Sequence, residues 1–262
     1  MSARAIWKGV LRIEDVSVPV KLYSAVQDKR VSFRLLHRDD GVPVKQAMVN
    51  PETGKVVEYE DVMRGYVTPE GRIVSLDPDE LEELEPEASR DIDVRSFVPA
   101  GVIEHRWFER PYYLGPDGDT EAYFALAAAL GRTDREGVAH WVMRDKEYQG
   151  ALRLHRGYPM LVTLKHAGEV LPLEQFEPRS DEDLDDKQLK MARQLIQMLA
   201  DDFDPEAYED EYRESVLKLI ESKRDGKKVR RKKAKERPRA DDLTAALERS
   251  LASGSDKAPA RA

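Results

Sequence analysis

The chain has 262 residues, with 51 acidic against 43 basic side chains and a formal net charge of −8. It contains no cysteine, which excludes disulfides and thiolate metal sites. No apolar run approaches the ~20 residues of a membrane span, and the opening Met1-Ser-Ala-Arg-Ala-Ile-Trp lacks the apolar core of a leader. The expectation is a soluble protein of the reducing cytoplasm.

The first two-thirds read as mainly β. Val16, Val18, Val20 and Leu22 alternate with Ser17, Pro19, Lys21 and Tyr23, the period of a half-buried strand. Pro19 cannot donate to a ladder and argues for an edge or a bulge. Val31, Phe33 and Leu35 repeat the alternation and predict a second strand. Asp77-Pro78 reads as an N-cap with Pro at the first helical position, opening a short acidic helix. "DTEAYFALAAALG" predicts a helix with Tyr123, Ala127 and Leu130 on its buried face and Gly131 at its C-terminal cap. "VAHWVM", "ALRLH" and "PMLVTLKH" are three alternating runs joined by turn-like segments, and predict an antiparallel meander. So many short strands at this spacing suggest a barrel or sandwich rather than a doubly wound sheet.

After Pro178 the period changes to that of a helix. Leu189, Ala192, Ile196 and Leu199 form one stripe, and Asp204-Pro205 predicts a second helix carrying Tyr208, Tyr212, Val216, Leu219 and Ile220. From Lys223 to Arg239 there are eleven Lys or Arg against Asp225 and Glu236, leaving 32 basic against 49 acidic elsewhere. Such a block reads as a solvated interaction tail making phosphate contacts, through Lys227, Lys228, Arg230, Arg231, Lys232, Lys233 and Lys235. Leu243, Leu247 and Leu251 mark a short terminal helix.

Catalytic signatures are missing. The five histidines are scattered without ligand spacing, and no phosphate loop, dinucleotide turn or nucleophile elbow is present. Asp117, Asp119 and Glu121 are better explained as a turn and a cap than as a two-metal nuclease set. No enzyme activity, cofactor or metal is expected. Trp7, Trp107 and Trp141 are assigned to packing rather than base stacking.

Three blocks carry a family resemblance. "RAIWKGVLRIEDVSVPVKLYSAV", "SRDIDVRSFVPAGVI…RPYYLGPD" and "LKMARQLIQMLADDFDPEAYEDEYRESVLKLIESK" occur in this order between Arg4 and Lys223, and the chain resembles prokaryotic Ku proteins. The resemblance implies a mainly β fold with α: a Ku-like β-barrel with a DNA-encircling bridge over residues 1–178, an amphipathic helical arm over 179–222, and a basic, largely disordered tail over 223–262. It implies a homodimeric ring that threads double-stranded DNA ends without sequence preference and brings in a multifunctional end-joining ligase for double-strand break repair. The expected location is the cytoplasm, on the nucleoid. Many family members carry a Cys-x-x-Cys pair where this chain has Asn50 and Thr53, so a metal knuckle is ruled out. "RIEDV" replaces a more apolar, Gly-containing run and adds charge at Glu14 and Asp15.

Under that resemblance Lys21, Arg30, Arg34 and Lys45 are candidate phosphate contacts, with Arg106 and Arg110 in the bridge as further ones, and a solvated strand-face charge is the alternative for each. Leu195, Ile196, Leu199, Tyr208 and Tyr212 are candidates for packing, either across a dimer or on the chain's own barrel. The competing reading is a non-enzymatic chromatin or transcription-associated factor that holds DNA only by its tail.

Overall fold

The computed structural model describes residues 4–176, 186–226, 247–248 and 251. The chain divides into two units, residues 4–29 with 33–172, and residues 30–32 with 173 onward.

The first unit begins with β1 (Trp7–Ile13) and β2 (Val16–Ser24), a hairpin turned by Glu14-Asp15 with Glu14 at φ 48°. A long excursion follows. It contains β3 (Met48–Val49) paired with β4 (Val56–Val57), β5 (Arg64–Val67) paired with β6 (Ile73–Leu76), and α1 (Pro78–Glu82). The chain then returns through β7 (Asp91–Pro99), β8 (Phe108–Pro116), α2 (Thr120–Thr133), β9 (Arg135–Val142), β10 (Glu147–His155) and β11 (Tyr158–Leu164). Seven strands close a barrel in the order β1-β2-β8-β11-β10-β9-β7, with β7 parallel to β1 and every other pair antiparallel. The meander read from the sequence is β9-β10-β11.

Alternation explains which side chains go inside. Leu11, Val18, Val20, Leu22, Ile92, Leu114, Trp141, Leu152 and Leu161 lie in one buried cluster, each at most 1% exposed. Burial of a Leu, Ile or Val at this level contributes about 1.5–3 kcal/mol. Helix α2 adds Tyr123 and Leu130 to the same cluster, and the Tyr123 hydroxyl donates to the Leu114 carbonyl at 2.7 Å. Asp119 caps the helix by accepting from the Ala122 N–H at 3.0 Å. The helix runs through Gly131, and the left-handed cap is Asp134 at φ 49°, not the glycine. A helix end set by the start of β9 overrode the glycine signal.

Three other expectations are corrected. Val31, Phe33 and Leu35 form no strand; this stretch has only an isolated bridge between Leu36 and Pro43, and Phe33 and Leu35 are exposed. Strand β2 is interior to the closed barrel rather than an edge. Pro19 is tolerated because the β2–β8 ladder ends at Val20–Pro116, and the Pro19 carbonyl instead accepts from the Asp117 N–H at 3.1 Å. Asp204-Pro205 opens only a 3-10 turn over Pro205–Ala207, and the helix begins later at Asp210, which caps Arg213 N–H at 2.9 Å. The Asp77-Pro78 start holds: Glu80 accepts from the Asp77 N–H at 3.0 Å in a capping box.

The second unit contains α3 (Asp186–Met198) and α4 (Glu211–Arg224). Met191 and Leu247 are buried in it, and Lys187 Nζ stands 3.7 Å from Glu248 Oε1. Among the described residues no helix is long and apolar enough to cross a membrane.

Candidate nucleic-acid interface

Strands β2 and β7 are the two neighbours of β1, so the 66 residues between Ser24 and Asp91 form a handle rooted on both sides of one strand. Trp7 pairs with Leu22 and Val10 with Asp91, which sets both feet near the start of β1. No residue from Ala25 to Arg90 is buried. Its hairpins are held by turn hydrogen bonds, with Asn50 Oδ1 accepting from Glu52 N–H at 2.9 Å and Gly54 and Gly71 at positive φ. The handle also leaves apolar side chains in water, with Phe33, Leu35, Val56, Tyr59, Tyr66 and Ile73 each more than 59% exposed.

Charge is graded along it. Residues 25–57 carry six Lys or Arg against four acids, whereas residues 58–90 carry three against eleven. Periodicity arguments pass over this asymmetry, yet it is countable in the sequence. The basic portion includes Lys29, Arg38 and Lys55 beside the expected Arg30, Arg34 and Lys45. Arg34 and Lys45 are exposed and make no ion pair among the described residues.

The remaining core candidates have different surroundings. Lys21 lies on the barrel wall, where its Nζ is 2.8 Å from Asp117 Oδ1 while Lys8 Nζ is 3.0 Å from Oδ2. The two lysines are register partners on β1 and β2, which brings both to one carboxylate. The bond to Asp117 raises the Lys21 pKa, and the bonds from Lys21 and then Lys8 lower that of Asp117. Arg106 Nε is 2.7 Å from Glu104 Oε2. Arg110 places its guanidinium 5.6 Å from the Tyr112 ring centroid, and its backbone N–H donates to Thr163 Oγ1 at 2.9 Å. Arg34 and Lys45 therefore lie on the handle and Arg30 on the short stretch 30–32 assigned to the second unit, while Lys21, Arg106 and Arg110 belong to the barrel and the approach to β8. The seven tail candidates, Lys227 to Lys235, lie outside the described residues.

Of the packing candidates, Leu195 is half-buried, whereas Ile196, Leu199, Tyr208 and Tyr212 are 69–75% exposed in the single chain. The tryptophans are packed: Trp141 is 1% exposed and stacks on Tyr148 at 5.5 Å, and Trp7 leans on the core. Among the described residues no three His, Asp or Glu side chains gather as a metal site. Asp119 and Asp117 are occupied as cap and ion-pair partner.

A closed seven-stranded barrel that carries an exposed, charge-graded handle between two of its strands defines the fold class. Residues 12–191 match the family described as the Ku70/Ku80 beta-barrel domain. The chain is 38% identical to "Non-homologous end joining protein Ku 2" of Geotalea uraniireducens, over 96% of its own length and 98% of that relative. It is 36% identical to "Non-homologous end joining protein Ku" of Mycobacterium tuberculosis over 85% and 84% of the two chains. The Bacillus subtilis protein of the same name is 32% identical over 94% and 81%. The chain belongs to the Ku family.

Proposed function

We propose that the protein binds ends of double-stranded DNA without sequence preference, as a homodimeric ring, and brings a multifunctional end-joining ligase to the break. It performs no chemistry itself and works in the cytoplasm on the nucleoid. The observation that carries this reading is the handle: a folded excursion with no buried residue, basic in its first half, that exposes apolar side chains a second copy would cover. The relatives' names, which place them in non-homologous end joining, support the same reading.

Sequence independence follows if the contacts are to phosphates, since these position a duplex without reporting its bases. Arg34 and Lys45 on the handle and Lys227 to Lys235 in the tail supply the cations, and the acidic second half of the handle disfavours approach from its side. A charged tail meets the same phosphates everywhere along a duplex, so preference for an end has to come from the folded part.

The deciding measurement compares linear duplex with covalently closed circles of the same sequence at matched salt, using the full chain and a chain lacking Gly226 to Ala262. Linear DNA is expected to bind and circles to fail, and the shortened chain is expected to bind ends more weakly with the preference intact. Equal binding of circles and linear DNA removes the ring. Loss of all binding on deletion moves the function to the tail.

A further inference from the structure

A slot in the outer wall of the barrel is left unused by the handle and the tail. On β8, Tyr112 and Leu114 point into the core, so Tyr113 and Gly115 face outward. Gly115 is the register partner of Lys21, and Tyr113 is the partner of Tyr23 on β2. On the other side Met160 pairs with Tyr113, and continuing that register by two residues brings Tyr158 opposite Gly115. One glycine is thus flanked by three tyrosines from three neighbouring strands. The missing side chain matters, because a Cβ at Gly115 would stand 3.0 Å from Tyr23 Cε2.

The result is a cavity of about 530 Å³ lined by Tyr23, Tyr113, Leu114, Gly115, His155, Arg156 and Tyr158. Its size falls in the range of small-molecule sites, roughly 300–1,000 Å³. Arg156 and His155 sit at one end, presented by the β10–β11 turn, in which Arg156 and Gly157 have φ of 50° and 85°. No carboxylate lines the cavity, and Arg156 makes no ion pair among the described residues. Asp117, the partner of Lys21 on the same wall, is already held by two lysines. Tyr158 remains 64% exposed and Tyr113 39%, large areas for rings with nothing over them.

Aromatic walls with a cation at one end fit a planar ring that carries an anion. We propose that this slot binds one nucleoside phosphate, with the base against the tyrosine rings and the phosphate against Arg156. Stacking on aromatic faces tolerates any base, and the lining is dominated by such faces, with three tyrosines among its seven residues. The nucleotide has two possible sources: a free nucleotide, or the unpaired terminal nucleotide of a strand. Only the second rests on the end-binding reading.

The test uses the full chain. AMP is titrated with saturation-transfer NMR, beside the variants Gly115→Val, which fills the slot, and Tyr158→Ala, which removes an exposed wall. Saturable binding in the millimolar range is expected, weakened about tenfold in each variant, with thermal melting of Tyr158→Ala unchanged as the control for folding. A second arm compares blunt duplex with duplex carrying a short unpaired overhang. An overhang preference lost in Tyr158→Ala assigns the slot to strand ends; AMP binding without that preference assigns it to free nucleotide. Failure of AMP to saturate by ~10 mM together with equal affinity for blunt and overhanging ends overturns the proposal, as does binding indifferent to both variants. If no duplex binds at all, the end-binding reading falls, and the AMP titration still decides the slot.

Discussion

Glu136 carries a carboxylate into the barrel wall with only 5% of its side chain exposed. Arg153 Nη2 stands 2.8 Å from Oε1 and also lies 4.6 Å from the Phe108 ring centroid, while Oε2 has no hydrogen-bond partner among the described residues. Removing one member of such a pair leaves the other buried and uncompensated. Arg153→Ala is expected to cost about 2–4 kcal/mol in urea unfolding, reduced from the fully buried case because Arg153 keeps part of its surface in water. Arg153→Ala paired with Glu136→Leu should recover most of that loss. The Lys8–Asp117–Lys21 cluster makes an electrostatic prediction instead. Asp117 has a depressed pKa, so its ion pairs are present at neutral pH and are lost as pH falls through a point below the ordinary carboxylate range. Lys21 has a raised pKa, so its share persists until pH exceeds the ordinary lysine range. Neither group titrates between pH 6 and 8 on this account, and Lys21 should contribute no pH dependence to DNA binding there. Asp117→Asn frees both lysines, and the log–log salt slope of DNA binding should steepen by up to about two. An unchanged slope would place that wall away from the duplex.

Among the elements, the sheet tolerates the bulk of Trp141 only because its cross-strand neighbourhood contains Gly150. A Cβ there would lie 2.7 Å from the indole ring and 2.8 Å from the Val162 carbonyl oxygen, and a backbone atom cannot swing aside. Gly150→Ala is therefore expected to destabilise the barrel by about 1–3 kcal/mol, read as a fall in the urea midpoint at unchanged slope. The strands that meet a neighbour through a simple hairpin were legible in the sequence: β2 pairs with β1, and β9, β10 and β11 pair in series. So were the buried face of α2, with Tyr123, Ala127 and Leu130, and the Asp77-Pro78 start of α1. Val31, Phe33 and Leu35 alternate without forming a strand. Period-2 alternation reports which faces a strand would have, but not whether another strand is there to pair with it, and on the handle none is. Strand β7 was hidden for the opposite reason, since its pairing with β1 joins residues about 80 positions apart and a bulge between Val94 and Ser96 breaks its register with β9. The candidate site was partly legible: the basic residues of the handle could be named singly, but their separation from an acidic second half required counting charges over windows longer than any motif.

For the whole molecule, the second unit matters as much as the barrel. Ile196, Leu199, Tyr208 and Tyr212 expose most of their surface in the single chain, an arrangement that fits an obligate partner more than a monomer. Ile196→Glu with Leu199→Glu is expected to turn a dimer into a monomer in sedimentation velocity and to lower the affinity for DNA ends, while the barrel's near-ultraviolet circular dichroism stays native. A variant that remains dimeric would exclude this face from the interface. Under the proposed function the tail would bear on affinity rather than selection. The segment from Gly226 to Ala262 contains twelve Lys or Arg, so deleting it should flatten the salt slope by no more than about eleven, and by about six if only the seven from Lys227 to Lys235 meet phosphates.

The placing of the handle between β2 and β7 also sets a timetable for synthesis. At roughly 5–20 residues per second, the ribosome needs about 3–13 seconds to produce the 66 residues from Ala25 to Arg90. During that interval β1 and β2 exist as a lone hairpin whose inner face, Leu11, Val18, Val20 and Leu22, has no lid. The barrel cannot close until β11 has left the exit tunnel. Every nascent chain therefore carries one apolar hairpin face unprotected through the making of the handle, and the fifteen acids of the handle are the first material available to keep it in solution.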